Sequence, residues 1–387
     1  MKHVWFLAWQ SIRFNRLQSV ILIIGLAVPM YLPLAVNGLV KRYQAGLLQR
    51  AVSTPLVAGG LGSRFDLVLH ALYFRGNVPR LLRMADAEAI RATGYAAPIP
   101  LYVRYTARHA PIVGTTLDYF AFRELRIARG EPLLELGDCV LGADTAASLK
   151  LNPGDRLMTD PENVFDIAGS YPVKLRVMGV LVPSGTPDDR AVFVDLKTAW
   201  LVEGLAHGHS DVTATNTDGS VLLSRDATNV TANAALVEFT EVTLQNISSF
   251  HFHGDPDQFP LSEVIPVPND EKAATLLRGR YQGPEATVQI LAASSVVEEL
   301  LGLVFRVKRF FDANAALVGV ATGLFLLLVV LLSLRLRRPE METLFRLGCA
   351  RGLIAKLVAA ELIAIGGASL ALALLGAQAT IALVSLW

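Results

Sequence analysis

Three long apolar runs, and one polar island between the last two, organise this chain. The runs are Leu17–Val40, Ala313–Leu334 and Leu362–Trp387, and the second and third hold no Asp, Glu, Lys or Arg. A helix crosses a hydrocarbon core of about 30 Å in about 20 residues, so each run predicts a transmembrane span. Pro29 and Pro33 lie inside the first run, where they predict a kink in the helix. That run is too long for the apolar core of a signal peptide and no small-residue cleavage site follows it, so it reads as a retained first span. The island, Arg335–Glu361, has the sequence RLRRPEMETLFRLGCARGLIAKLVAAE and predicts a structured loop on one face of the membrane.

The long segment between the first two runs has a different pattern. Short β-type runs occur at Leu101–Tyr105, Val173–Val182, Ala191–Val194, Leu236–Leu244 and Thr287–Leu291. Turn signals punctuate them at Asn152-Pro153-Gly154-Asp155, Ser184-Gly185-Thr186-Pro187 and Gly254-Asp255-Pro256. Helical spacing predicts helices at Met84–Thr93, at Asp144–Leu149, and at Glu271–Arg280 behind a cap at Asn269-Asp270. The polar stretch Thr213–Thr231 predicts a loop or hairpin. Ser295-Val296-Val297-Glu298 has capping-box spacing and predicts a helix that runs on through Leu300, Leu303, Val304 and Val307 into the second span.

The organisation predicted is a tail at 1–16 and spans at 17–40, 313–334 and 357–387. An extramembrane domain fills 41–310 and a loop fills 335–356. The fold class is an α-helical transmembrane protein with three spans and a large mixed α/β extracytoplasmic domain. Mean hydropathy of +0.44 with 18% charged residues agrees with that class. Trp5, Phe6, Trp9, Arg13, Phe14 and Arg16 interleave in the tail, which suits either an amphipathic helix on the inner leaflet or an extension of the first span.

Charge sets the orientation. Arg335, Arg337, Arg338, Arg346, Arg351 and Lys356 outnumber Glu340 and Glu342 in the island, and the tail carries Lys2, Arg13 and Arg16. Short basic loops stay in the cytoplasm, while long domains cross largely regardless of their flanking charge. The tail and island therefore belong inside, and the α/β domain and C-terminus outside. The net charge of +1 and the lack of a dense basic block give no reason to expect nucleic acid as a partner.

Candidate chemistry is sparse. Gly59-Gly60-Leu61-Gly62-Ser63 is glycine-rich but lacks the Lys and Ser/Thr of a phosphate-binding P-loop, so no catalytic residues are assigned and ATP hydrolysis is not expected of this chain. Cys139 and Cys349 fall on opposite sides of the membrane in this topology and form no redox pair. Asp138 and Asp155 read as turn residues, and Gly366-Gly367-Ala368-Ser369 as a helix-packing surface. Two histidine pairs, His207/His209 and His251/His253, have i, i+2 spacing, with Asp211, Asp255 and Asp257 close behind. On an extended strand such a pair shares one face, and imidazole and carboxylate are zinc ligands. An ordinary exposed strand and polar loop would have the same pattern.

In the island, Pro339–Leu347 predicts a short helix opening on Pro, with Glu340 and Glu342 near its positive end and Arg346 near its negative end. Met341, Leu344, Phe345 and Leu347 would give it an apolar face, with Gly348 for the turn that follows. Such a helix can insert into a partner's groove.

The chain resembles the FtsX/MacB/LolC type of ABC transporter permease. The island and third span carry the resemblance through Arg338, Glu342, Leu344, Arg346, Leu347, Gly348, Ala350, Arg351, Ile354 and Glu361. Cys349 stands where the family has a small residue such as Ala. Two further segments are similar to the family: Val140-Leu141-Gly142 with Ala147, Leu149, Leu151 and Gly154-Asp155, and the strand pair Leu175–Leu181 and Ala191–Leu196. The family has four spans, and this sequence shows three. The resemblance implies a MacB-like periplasmic core, and a bacterial inner-membrane location. It implies an ABC ATPase partner, which would carry ATP and Mg²⁺ and dock on Arg338, Glu342, Leu344, Phe345, Arg346, Leu347 and Gly348. It also implies a homodimer or a related permease as second subunit, and a periplasmic or outer-membrane partner. The function implied is ATP-driven movement of the outer domain for export or extraction of a substrate. The other readings are a regulator of cell-wall hydrolases and a zinc-handling anchor protein using its histidines.

Overall fold

The structure, a computed structural model, describes residues 2–78, 80–161, 172–208, 222–225, 230–232, 239–336, 338, 342–343, 346 and 351–384. Its helices are α1 (Lys2–Phe14), α2 (Arg16–Val52), α3 (Arg64–Tyr73), α4 (Met84–Ala92), α5 (Leu117–Phe122), α6 (Ala143–Leu149), α7 (Leu196–Glu203), α8 (Glu271–Arg280), α9 (Ala293–Leu336) and α10 (Arg351–Val384). Its strands are β1 (Val57–Gly60), β2 (Leu82–Arg83), β3 (Ala96–Ala107), β4 (Ala110–Thr115), β5 (Ile127–Gly130), β6 (Asp138–Leu141), β7 (Arg156–Met158), β8 (Lys174–Leu181), β9 (Val192–Asp195), β10 (Ala206–Gly208), β11 (Leu222–Arg225), β12 (Val230–Ala232), β13 (Phe250–Phe252), β14 (Pro260–Leu261), β15 (Glu263–Pro268) and β16 (Val288–Leu291). Two compact units form, Leu48–Glu298 and Met1–Leu47 with Glu299–Trp387.

The first unit is mixed α/β. One sheet runs in the order β16-β1-β15-β3-β4-β9-β6-β8-β5, with β7 also on β8. β3 is long enough to serve two neighbours: Ala96–Leu101 pair with β15, and Tyr102–Ala107 pair with β4. Parallel pairs at β4/β9 and β6/β8 need crossover helices, which cover both faces of the sheet. The strands accordingly bury both sides. Ile99, Leu101, Val103, Val113, Val140 and Phe193 enter one core, while Tyr102, Ile112, Cys139, Leu141, Val192 and Val194 enter the other. These are successive residues on the same strands, so the two-residue period of a strand serves both cores and the sequence shows continuous apolar runs.

The second unit contains helices of membrane length. Three candidate spans stand out by length and composition, in Arg16–Val52, Ala293–Leu332 and Lys356–Val384. α2 has 37 residues and α9 has 44, or about 55 and 66 Å at 1.5 Å per residue, well beyond one hydrocarbon thickness. α2 stays helical through Pro29 and Pro33. It meets α10 where Tyr31 hydrogen-bonds Thr380 at 2.8 Å. A Cβ on Gly38 would lie 2.2 Å from Ile381, and one on Gly376 would lie 3.2 Å from the Tyr31 ring. The close helix approach is therefore made at Gly38 and Gly376. Of the expected packing surface Gly366-Gly367-Ala368-Ser369, the two glycines are open, since a Cβ at either meets nothing within 4 Å, while Ser369 is fully buried. The most apolar window of α9 has no residue buried inside this structure, against 17% and 22% for the other two helices.

Most predicted elements of the α/β unit form within two residues of their expected ends. The turn Asn152–Asp155 closes with Asn152 N donating to Asp155 and Asp155 N to Asn152, at 2.7 and 3.1 Å. Asp270 caps α8 through Ala273 N at 2.6 Å. Three expectations need correction. Of the expected strand Leu236–Leu244, residues 236–238 lie outside the described residues, and Phe239–Leu244 form no strand, only a bridge of Glu241 to Lys174. Ser295 is not a cap: α9 begins at Ala293, two residues earlier. Asp138 is fully buried on β6 and does more than close a turn, since it also takes Arg176 at 2.6 Å. Of the polar stretch, Leu222–Arg225 and Val230–Ala232 pair antiparallel as a hairpin, and 213–221 and 226–229 lie outside the described residues.

Candidate functional site

Arg50, on the last turn of α2, is a cation buried in the α/β unit. Its guanidinium donates to both oxygens of Asp188, Nη1 to Oδ2 at 2.6 Å and Nη2 to Oδ1 at 2.9 Å. Nη2 also reaches the Tyr119 hydroxyl at 3.0 Å, and Nε reaches the Leu72 carbonyl at 3.3 Å. Tyr119 donates to Asp188 at 2.8 Å, and so does Thr186 at 2.9 Å. Arg123 extends the network to Thr54 Oγ1 at 2.8 Å, just past the end of α2. The planar fork of arginine matches a carboxylate bidentately, so α3, α5 and the turn Pro187–Arg190 hold the end of α2 in one geometry.

Electrostatics support the pairing. Burial alone would push the Asp188 carboxyl up, but the hydrogen bonds and charge of Arg50 outweigh it and hold the carboxyl below its usual range. Burial likewise opposes the Arg50 charge, and its partners raise the guanidinium nonetheless. No local pattern marks this clamp, because one arginine after an apolar run and one aspartate in a polar turn both read as solvated.

The segment Val140-Leu141-Gly142 supports the same turn. A Cβ on Gly142 would lie 2.3 Å from the Asp188 carbonyl and 2.4 Å from the Asp189 carbonyl, both backbone atoms that cannot swing aside. Gly142→Ala is expected to cost about 1–3 kcal/mol, lowering the thermal midpoint by roughly 3–10 °C. Gly283→Ala, which meets nothing within 4 Å, is the control; equal melting of the two variants would contradict the close-packing argument.

A second buried pair joins α3 to β15, with His70 Nδ1 and Glu263 Oε2 2.8 Å apart. Burial pushes the Glu263 carboxyl up. Burial opposes the His70 charge, but Glu263 reverses the balance and raises the imidazole. The folded pair thus keeps a proton that the unfolded chain gives up. Its contribution is present below the ordinary histidine value of about 6.5 and is lost as pH rises through the folded value. Stability is expected to fall as pH rises above about 6.5, and less so in the double variant His70→Gln, Glu263→Gln. Melting curves that superimpose across that range would contradict this.

The sequence-predicted site residues are placed as follows. Arg338, Glu342 and Arg346 are helical and exposed, while Leu344, Phe345, Leu347 and Gly348 lie outside the described residues. His207 on β10 stands directly opposite His251 on β13, and His253 follows at the end of that strand. The three rings have centroids 4.7–4.8 Å apart. His209 and Asp211 lie outside the described residues. Asp255 caps the turn Pro256–Gln258 through Asp257 N at 3.1 Å.

Residues 22–238 match the family model for the MacB-like periplasmic core domain, which is more than half of the chain. The chain belongs to this family. It is an ABC transporter permease of the FtsX/MacB type, with a MacB-like core as its α/β unit. Among solved structures, it is similar to the periplasmic region of MacB from Actinobacillus actinomycetemcomitans, at 11% identity and a TM-score of 0.35, over 64% of this chain and 92% of that one. It is also similar to the extracellular domain of the noncanonic ABC-type transporter YknZ from Gram-positive bacteria, at 13% identity and a TM-score of 0.33, over 61% of this chain and 98% of that one. No curated protein matches the sequence.

Proposed function

We propose that this permease is the membrane subunit of an ABC complex of mechanotransmission type. A separate ATPase, carrying ATP and Mg²⁺, binds the island at 335–356 and moves it. α2 and α9 carry the movement to the periplasmic domain, which exports or extracts a substrate on the far side of the bacterial inner membrane. The observation that carries this reading is the clamp of Arg50 on Asp188 and Tyr119 at 2.6–3.0 Å. A helix that includes a candidate span ends in a buried ion pair within the α/β unit, which supports that helix as a route for movement. A second copy or a related permease completes the assembly, and the unburied apolar window of α9 supports a lipid- or subunit-facing role for that helix.

The test is co-expression with an ABC ATPase from the same organism. The pair is expected to co-purify, and Glu342→Ala, Phe345→Ala and Arg346→Ala made together are expected to release the ATPase. Undiminished co-purification of that triple variant would remove the docking assignment.

A further inference from the structure

We infer that the histidine cluster of the periplasmic domain is an open binding site for a divalent zinc-class cation, a property beyond the permease reading and independent of it. One ligand atom from each of His207, His251 and His253 lies within 4.8 Å of the other two. Two elements of strand geometry bring them together. His251 and His253 share a face by their two-residue spacing, and His207 is the residue opposite His251 in the β10/β13 ladder. The ladder continues past His251, because His253 N donates to the Leu205 carbonyl at 2.9 Å.

The site is built on a fixed base. Phe250 and Phe252 alternate with the histidines and pack against the core, where Phe252 meets Phe259 at 5.9 Å and Phe259 meets Trp200 at 5.0 Å. Gly208, next to His207, lets the Phe250 ring come within 2.7 Å of where a Cβ would be. The two strands are thus held close by apolar packing on one face while the imidazoles gather on the other. His251 Nδ1 lies 3.1 Å from the Ser249 carbonyl. Donation from Nδ1–H there puts the ring's lone pair on Nε2, and a carbonyl partner of this kind orients metal-binding histidines.

Zinc takes imidazole nitrogen at about 2.0–2.1 Å, which in a tetrahedron sets the nitrogens about 3.4 Å apart. From a separation of at most 4.8 Å the closure is at most about 1.4 Å, within reach of side-chain rotation since His251 and His253 are exposed. Three protein ligands leave the fourth position to water or to a donor from another molecule, as in zinc sites that exchange ligands, whereas structural sites close all four. Three neutral nitrogens with no thiolate select zinc, copper or nickel over magnesium and calcium.

The experiment uses the untagged full-length chain in detergent, titrated with Zn²⁺ by calorimetry. One Zn²⁺ per chain is expected, with affinity lower by about 100-fold or more in each of His207→Ala, His251→Ala and His253→Ala. Co²⁺ should give the visible absorption of a tetrahedral complex in the wild type and not in the variants. His251 and His253 are exposed and His207 half-buried, so His253→Ala should melt like the metal-free wild type, and any variant that does so suffices for the comparison. Absence of saturable Zn²⁺ binding, or equal affinity in wild type and all three variants, overturns the inference.

Discussion

Asp188→Ala is expected to destabilise the α/β unit by about 3–5 kcal/mol, the usual cost of leaving one member of a buried ion pair without its partner. Arg50 would keep its charge inside the protein with only the Tyr119 hydroxyl and the Leu72 carbonyl to satisfy it. The same argument makes the double variant Arg50→Met, Asp188→Leu much milder, because apolar residues of similar volume in place of a buried pair are often neutral for stability. Denaturant unfolding of the single and double variants in detergent checks both parts. A single variant within about 1 kcal/mol of wild type would contradict the burial argument. The pH sign follows from the lowered Asp188 carboxyl. The clamp contributes fully above the ordinary aspartate value of about 4 and is lost as pH falls through the lower folded value.

Phe345→Ala is expected to weaken ATPase binding by about 2 kcal/mol or more, roughly 30-fold. An aromatic anchor in a groove carries most of the energy of a small interface, whereas exposed charges at its rim contribute less. Arg346→Ala is therefore expected to cost about 1 kcal/mol or less and to act through a salt-dependent association rate. Titration of the purified ATPase onto the solubilised permease at two salt concentrations separates the two effects. A larger loss for Arg346→Ala than for Phe345→Ala would mean that charge, and not an apolar helix face, makes the dock.

The long apolar helices, the α/β character of the long segment and most of its elements were legible in the sequence because they rest on local periodicity. Met84–Ala92, Val192–Asp195 and the cap at Asp270 all follow from a few neighbouring residues. What escaped depends on pairs remote in sequence. Arg50 and Asp188 are 138 residues apart and His70 and Glu263 are 193 apart, and nothing local marks any of the four as buried. Asp138 does close its turn, through Leu134 N and Glu135 N, but its Arg176 partner escaped for the same reason, since Arg176 comes from another strand. The packing glycines were misplaced because Gly366-Gly367 is the denser local signal, while contact is decided by where Tyr31 and Ile381 fall on the facing helices. The histidines were an intermediate case. Their i, i+2 spacing was visible, but only the β10/β13 register selects His207, His251 and His253 as neighbours.

The most direct measurement follows the periplasmic domain in the reconstituted complex. A spin label at Lys272→Cys, exposed on α8, in a Cys349→Ala background, together with a second label on the ATPase, reports the distance between the domain and the ATPase in lipid discs. A shift in that distance between the nucleotide-free and ATP-trapped states is expected, and it should vanish in the triple variant Glu342→Ala, Phe345→Ala, Arg346→Ala. The same distance in both nucleotide states, with the ATPase bound and hydrolysing ATP, would contradict transmission of movement to the periplasmic domain.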